Sequence, residues 1–275
     1  MLMRELGRGR RLGCFLAVVL GIGCAEAAAQ EWARVRLEQS PRHLEWVTVT
    51  NGARQVQCFL AYPERSERAP AVVVIHEIFG LTDWVRSVTD QLAEAGYVAI
   101  VPDLLSGMAP GGGGTAELGG SDAVRKAIAG LPPDQIATDV QAVMEFVRKL
   151  PACNGKVAVA GFCWGGAQTF RLATLTDEPA AFFVFYGTAP EREEDLERIR
   201  RPVYGFYAER DARVNAGLPA LRAALERLGK KFEPVTYEGA GHGFMRAGEA
   251  PDASPENRRA RNEAWARWKK LLETL

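Results

Sequence analysis

From about residue 44 to the C-terminus, short apolar runs alternate with longer amphipathic ones. Trp46–Thr50 and Val56–Tyr62 each alternate with a period of two around Asn51-Gly52, the pattern of a β-hairpin. Ala71–His76 and Val98–Val101 are continuous β-branched and small apolar runs, as expected of strands buried on both faces. Lys156–Ala160, Ala181–Tyr186, Val203–Ala208 and Phe232–Tyr237 read as further strands. Between them, Ser87–Ala95, Pro133–Leu150, Trp164–Leu175, Pro219–Leu228 and Pro255–Leu275 carry helical spacing. Pro102 to Ser121, which holds Gly111–Gly114, reads as a long mobile loop, either a lid or a connector. Strands alternating with helices predict a mostly parallel central sheet with helices on both faces, in one domain over residues 30–275.

The first 29 residues break this pattern. Arg4, Arg8, Arg10 and Arg11 precede an apolar stretch from Leu12 to Ile22, and small residues follow from Cys24 to Ala29. A basic segment, a short apolar one and an Ala-x-Ala end predict a secretory signal over residues 1–29. The apolar stretch is shorter than the roughly 20 residues that span a bilayer. The expected location is therefore periplasmic or extracellular, with a lipid anchor at Cys24 as the alternative. Cleavage leaves Cys58, Cys153 and Cys163, an odd number, hence at least one free thiol. Cys58 and Cys153 read as small buried hydrophobes, with a disulfide between them as the other option.

Charge removes some function classes. Lys plus Arg equals Asp plus Glu at 34 each, so nothing draws the chain toward nucleic acid or anionic membranes. The histidines have no ligand-spaced partners, so no metal is expected. The glycine run lacks the strand-to-helix context of a dinucleotide fingerprint, so no cofactor is expected either. The expected partner is a small molecule, and the expected state a monomer.

The chemistry concentrates in Gly161-Phe162-Cys163-Trp164-Gly165-Gly166, between a strand and a helix. Gly-x-Cys-x-Gly in that context is the nucleophile elbow of the α/β-hydrolase fold, with Cys where Ser is usual. A sulfur at a helix N-terminus gains from the dipole, which favours thiolate. In this fold the acid and then the histidine follow the nucleophile along the chain. His242 is the histidine that follows Cys163, in the small-residue loop Gly239–Gly243. Asp211, on a turn after Val203–Ala208, is the expected acid, with Glu209 as its competitor. The backbone amides of Ile78 and Trp164 are the expected oxyanion donors. Phe79, Trp84, Trp164 and Tyr186 are candidates to line an apolar pocket, and His76 is expected to pack beside the oxyanion loop.

His76-Glu77-Ile78-Phe79-Gly80-Leu81, Pro102-Asp103-Leu104, the elbow, Phe185-Tyr186-Gly187, Asp211 and His242-Gly243-Phe244 together resemble the dienelactone hydrolase family (carboxymethylenebutenolidases and their relatives). The resemblance covers essentially everything after residue 44. It implies hydrolysis of an ester or lactone through an acyl-enzyme on Cys163. It implies that Glu77 holds the resting thiol in a less reactive state until substrate moves it, and that Arg246 binds a substrate carboxylate. The family's second carboxylate-binding Arg belongs just after Pro102-Asp103-Leu104, where this chain has Leu105-Ser106-Gly107. That departure leaves room for a carboxylesterase with a different substrate. A binding protein that kept the fold without its chemistry is the third reading.

Overall fold

The computed structural model describes residues 30–275, so the expected signal and Cys24 lie outside the described residues. Eight strands form one sheet: β1 (Leu44–Asn51), β2 (Arg54–Ala61), β3 (Ala69–Ile75), β4 (Val98–Pro102), β5 (Cys153–Phe162), β6 (Phe182–Phe185), β7 (Val203–Ala208) and β8 (Phe232–Tyr237). Their order across the sheet is β1-β2-β4-β3-β5-β6-β7-β8. The pairs β1·β2 and β2·β4 are antiparallel, and every pair from β4·β3 to β7·β8 is parallel. In the hairpin Asn51 pairs with Arg54, so the turn is Gly52-Ala53, one residue later than the Asn-Gly signal suggests; Gly52 takes φ 59°.

Helices cover both faces. Val140, Val143 and Val147 of the Pro133–Arg148 helix and Phe170 of Trp164–Ala173 pack against one face. Trp84, Val88 and Leu92 of Asp83–Glu94 and Ala264 and Trp268 of Pro255–Leu272 cover the other. Cys58 and Cys153 are free, buried thiols, one at each end of this core. Among the described residues no helix is long and apolar enough to cross a membrane.

The Pro102–Ser121 segment is folded, which corrects its reading as a long mobile loop. Leu104 and Leu105 are buried, and Ser106 Oγ accepts the Gln57 amide at 2.9 Å. The Asp103 carboxylate accepts the Thr115 amide and hydroxyl, each at 2.7 Å, and Thr115 Oγ1 accepts the Leu81 amide at 3.0 Å. One buried carboxylate thus ties a Gly-rich stretch to the loop after β3. A helix over Ser121–Ala129, anchored by Val124 and Ile128, follows at once. Composition suggested flexibility here because glycine hides the tertiary anchors that fix it.

Two glycines of the elbow are dictated by backbone contact. A Cβ on Gly161 would meet the Gly165 carbonyl and Thr169 Oγ1; one on Gly165 would meet the Ile75 and His76 carbonyl oxygens. Backbone atoms cannot rotate aside, so Gly165→Ala is expected to cost roughly 3 kcal/mol or more. At an m of about 1–3 kcal/mol/M this lowers the urea midpoint by about 1 M or more. An unchanged midpoint would show that β3 and the elbow helix can separate without loss.

Candidate active site

The C-terminal ends of β5, β7 and β8 bring three side chains together. Cys163 is the N-cap of the Trp164–Ala173 helix and takes φ 54° and ψ −115°, held by its amide donating to Phe185 O at 3.0 Å. A non-glycine residue with that φ is strained and persists only where its surroundings over-determine it. Here the strain lifts the sulfur off the sheet. His242 Nε2 lies 3.1 Å from Cys163 Sγ, and His242 Nδ1 bonds the Asp211 carboxylate through Oδ2. A carboxylate only accepts, so Nδ1 carries the hydrogen and Nε2 presents its lone pair to the thiol.

Asp211 is 6% exposed, and its Oδ1 accepts the Val214 amide at 3.3 Å. Glu209, the competitor, is exposed and accepts the Gly239 amide at 2.8 Å. It shapes the histidine loop rather than touching the imidazole. Asn257 Oδ1 accepts Gly241 N at 3.0 Å and braces the same loop. No motif marks Asn257, which sits far along the chain in the last helix, so sequence reasoning missed it.

The two amides expected as oxyanion donors are also held in place. The Trp164 amide is a helix N-terminal donor with no intrahelical partner, and beside Cys163 it favours the thiolate. Ile78 lies inside the turn closed by Gly80 N donating to Glu77 O. Fully buried His76 accepts the Leu104 amide on Nε2 at 3.4 Å, so its Nδ1–H donates to Glu77 O at 2.8 Å. The Glu77 carbonyl and the Ile78 N–H share one peptide plane, so this bond sets where the Ile78 amide points. Burial pushes the His76 pKa down and keeps the ring neutral for this task, while the ring stacks 5.5 Å from Trp164.

Burial and then the Glu77 charge push the Cys163 thiol up to about 11; the Trp164 amide and Arg213 oppose them. Glu77 is buried, and Arg246 Nε donates to its carboxylate at 2.8 Å. Burial drives the Glu77 carboxyl upward against the pull of Arg246, and Arg246 itself is raised because the carboxylate outweighs its own burial. Among the described residues Glu77 therefore bonds Arg246 rather than the sulfur, and it reaches the thiol through charge.

The expected pocket aromatics divide. Phe79 is half-buried, with the Arg246 and Arg125 guanidinium carbons 5.1 and 5.4 Å from its ring centre. Trp84 does not line a pocket: it is 1% exposed and packs edge-on to Phe162 in the core at 5.1 Å, because it sits in the first turn of a helix that faces the sheet. Tyr186 is likewise 1% exposed; its ring lies 5.1 Å from the His242 ring, supporting the imidazole from within. Its φ of 40° turns the side chain inward, which apolar patterning cannot show. Among the described residues no group of His, Cys, Asp and Glu is placed to hold a metal.

The model of the dienelactone hydrolase family matches residues 56–275. This chain belongs to the dienelactone hydrolase family. It is a hydrolase. A Synechocystis relative named "Putative carboxymethylenebutenolidase" is 31% identical over 241 residues, covering 83% of this chain and 95% of the relative. A protein of the same name from Saccharolobus solfataricus is 28% identical over 259 residues, covering 82% and 96%. Among solved structures, a Klebsiella pneumoniae protein titled "Putative Dienelactone Hydrolase" superposes with a TM-score of 0.74 at 22% identity, covering 85% of this chain and 99% of that one. A dienelactone hydrolase-like promiscuous phosphotriesterase from metagenomic libraries gives 0.70 at 23% identity, covering 85% and 98%. These two support the α/β-hydrolase fold.

Proposed function

We propose that the protein hydrolyses an ester or lactone through a thioester on Cys163, with His242 as acid and base and Asp211 as the group that orients it. The observation that carries this is the Cys163–His242–Asp211 chain, with 3.1 Å between sulfur and Nε2. A thiol raised to about 11 is protonated at neutral pH, so it needs a base in place when the carbonyl arrives. Sulfur attacks the carbonyl carbon as its proton passes to His242 Nε2. The carbonyl electrons move onto oxygen, and the amides of Ile78 and Trp164 are the donors placed to receive that charge. Collapse breaks the C–O bond, and His242 returns the proton to the leaving alkoxide; in a lactone this alkoxide stays attached to the acyl group. Water, deprotonated by His242, then attacks the thioester carbonyl; the C–S bond breaks, His242 returns the proton to the departing sulfur, and the acid is released.

The carboxymethylenebutenolidase name of the relatives makes dienelactone the first substrate to try. Against it stand the absence of an Arg after Leu104 and the commitment of Arg246 Nε to Glu77. A carboxylate arriving at Arg246 must share that cation. The test compares dienelactone with a neutral aryl ester on the chain from Gln30 onward, beside Cys163→Ala. Preference for dienelactone, lost in the variant, supports a carboxylate-bearing lactone as the substrate. Preference for the neutral ester, also lost in the variant, keeps the thioester chemistry and assigns a broader esterase. Hydrolysis of both that survives in Cys163→Ala overturns the reading.

Glu77 supplies a second check. Its negative charge disfavours thiolate, so Glu77→Gln is expected to lower the thiol pKa and speed iodoacetamide alkylation of Cys163 at pH 8 by roughly 3- to 10-fold. In the unsubstituted protein the alkylation rate should climb about tenfold per pH unit between 7 and 10, since only thiolate reacts. Equal rates for the two proteins would show that Glu77 does not govern the thiol.

A further inference from the structure

A cleft of about 730 Å³ opens beside the triad, between the chain after β6 and the Leu218–Arg227 helix. Its volume is that of a pocket for a sizeable small molecule. Cys163 and His242 do not line it, yet it adjoins them through two connections. Gly187 in its wall presses on the backbone of Gly166 and Ala167 in the nucleophile's helix. Val214, also in the wall, is capped by the Asp211 that holds His242. Both segments follow the C-terminal ends of neighbouring parallel strands, where open α/β sheets place their ligands.

The lining is apolar along Leu196, Leu218 and Leu221 and charged at its margins. Those charges are not equivalent. Arg227 is paired with Glu193 at 2.7 Å. Glu191 is exposed and would repel an anion. Arg213 is exposed, forms no ion pair among the described residues, and is the cleft cation whose charge is felt at the Cys163 sulfur. Arg246, on the Glu77 side of the triad, already serves that carboxylate.

We propose that this cleft receives the acyl arm of the ester, its hydrocarbon lying along Leu218 and Leu221 and an acidic group close to the scissile carbonyl pairing with Arg213. This rests on the thioester reading above and names its substrate class: esters of acids with an extended apolar arm and a second carboxylate. In an open-chain ester the acyl arm fits better than the alcohol, because it stays bound through both acylation and water attack, whereas the alcohol leaves between them.

The experiment uses four 4-nitrophenyl esters: acetate, octanoate, butyrate and the monoester of glutaric acid. Ratios of kcat/KM are read, so partial loss of folded enzyme cancels. Arg213→Ala should lower the glutarate-to-butyrate ratio about tenfold or more, the scale of a lost charged hydrogen bond. Ala224→Trp, which fills the cleft, should lower the octanoate-to-acetate ratio by about tenfold, since methylenes excluded from the cleft stay in water. If acetate hydrolysis depends on Cys163 and neither ratio moves, the cleft proposal is overturned while the thioester reading stands. If Arg213→Ala depresses all four esters alike, Arg213 acts on the thiol and the assigned subsite is wrong. Acetate hydrolysis that survives Cys163→Ala overturns both.

Discussion

Cys163→Ala is expected to lower kcat/KM for any ester the protein hydrolyses by about 10⁴-fold or more, the scale on which covalent triads fail when the nucleophile is removed. The loss is large because the other parts serve the sulfur. His242 Nε2 is aimed at it, the Trp164 amide favours its thiolate, and the strained φ of 54° presents it. Intact-mass analysis after mixing with a slowly deacylating ester should show the acyl group on the unsubstituted protein and none on the variant. A variant within tenfold of the parent would mean that water attacks the ester directly, with Cys163 a bystander. The substitution should leave the fold intact: the sulfur is half-buried at a helix start, and Ala keeps the Cβ that this backbone already carries.

Much of this site was legible in the sequence because its signals are local. Gly161 and Gly165 flank the nucleophile where backbone passes against backbone, and a strand before and a helix after complete the elbow. Chain order then singled out His242, and a turn just past β7 singled out Asp211. The strands of the parallel core were legible for the same reason: burial on both faces leaves continuous apolar runs. What escaped depends on contacts between distant segments. Asp103 clamping Thr115 turns a glycine-rich stretch into a fixed wall, and Asn257 reaches the histidine loop from the last helix. Trp84 and Tyr186 read as pocket aromatics yet lie in the core, because hydrophobicity says that an aromatic is buried and only backbone direction says against what. Arg213 carried no motif; its interest comes from the cleft beside it and from the partners that occupy Arg227 and Arg246.

Asp211→Asn tests the hydrogen-bond direction on which the proposed catalysis depends. The Val214 amide donates to Asp211 Oδ1, so the oxygen of an Asn at this position stays on Val214 and its NH₂ turns toward His242 Nδ1. Nδ1 must then accept. The imidazole takes the other tautomer, Nε2 carries the hydrogen, and the lone pair that faced the thiol is gone. The expected result is a fall in kcat of roughly 10³- to 10⁴-fold, with KM changed far less, as in other triads given the wrong tautomer. The deficit should also depend on pH in a defined direction. Below the thiol pKa of about 11 the sulfur needs a base to lose its proton; as pH rises toward that value, thiolate forms without one. With a 4-nitrophenyl ester, whose leaving phenolate needs no proton, the gap between parent and variant should narrow steadily from pH 7 to pH 10. A constant gap across that range would place the defect elsewhere, in the charge of the imidazolium rather than in its tautomer.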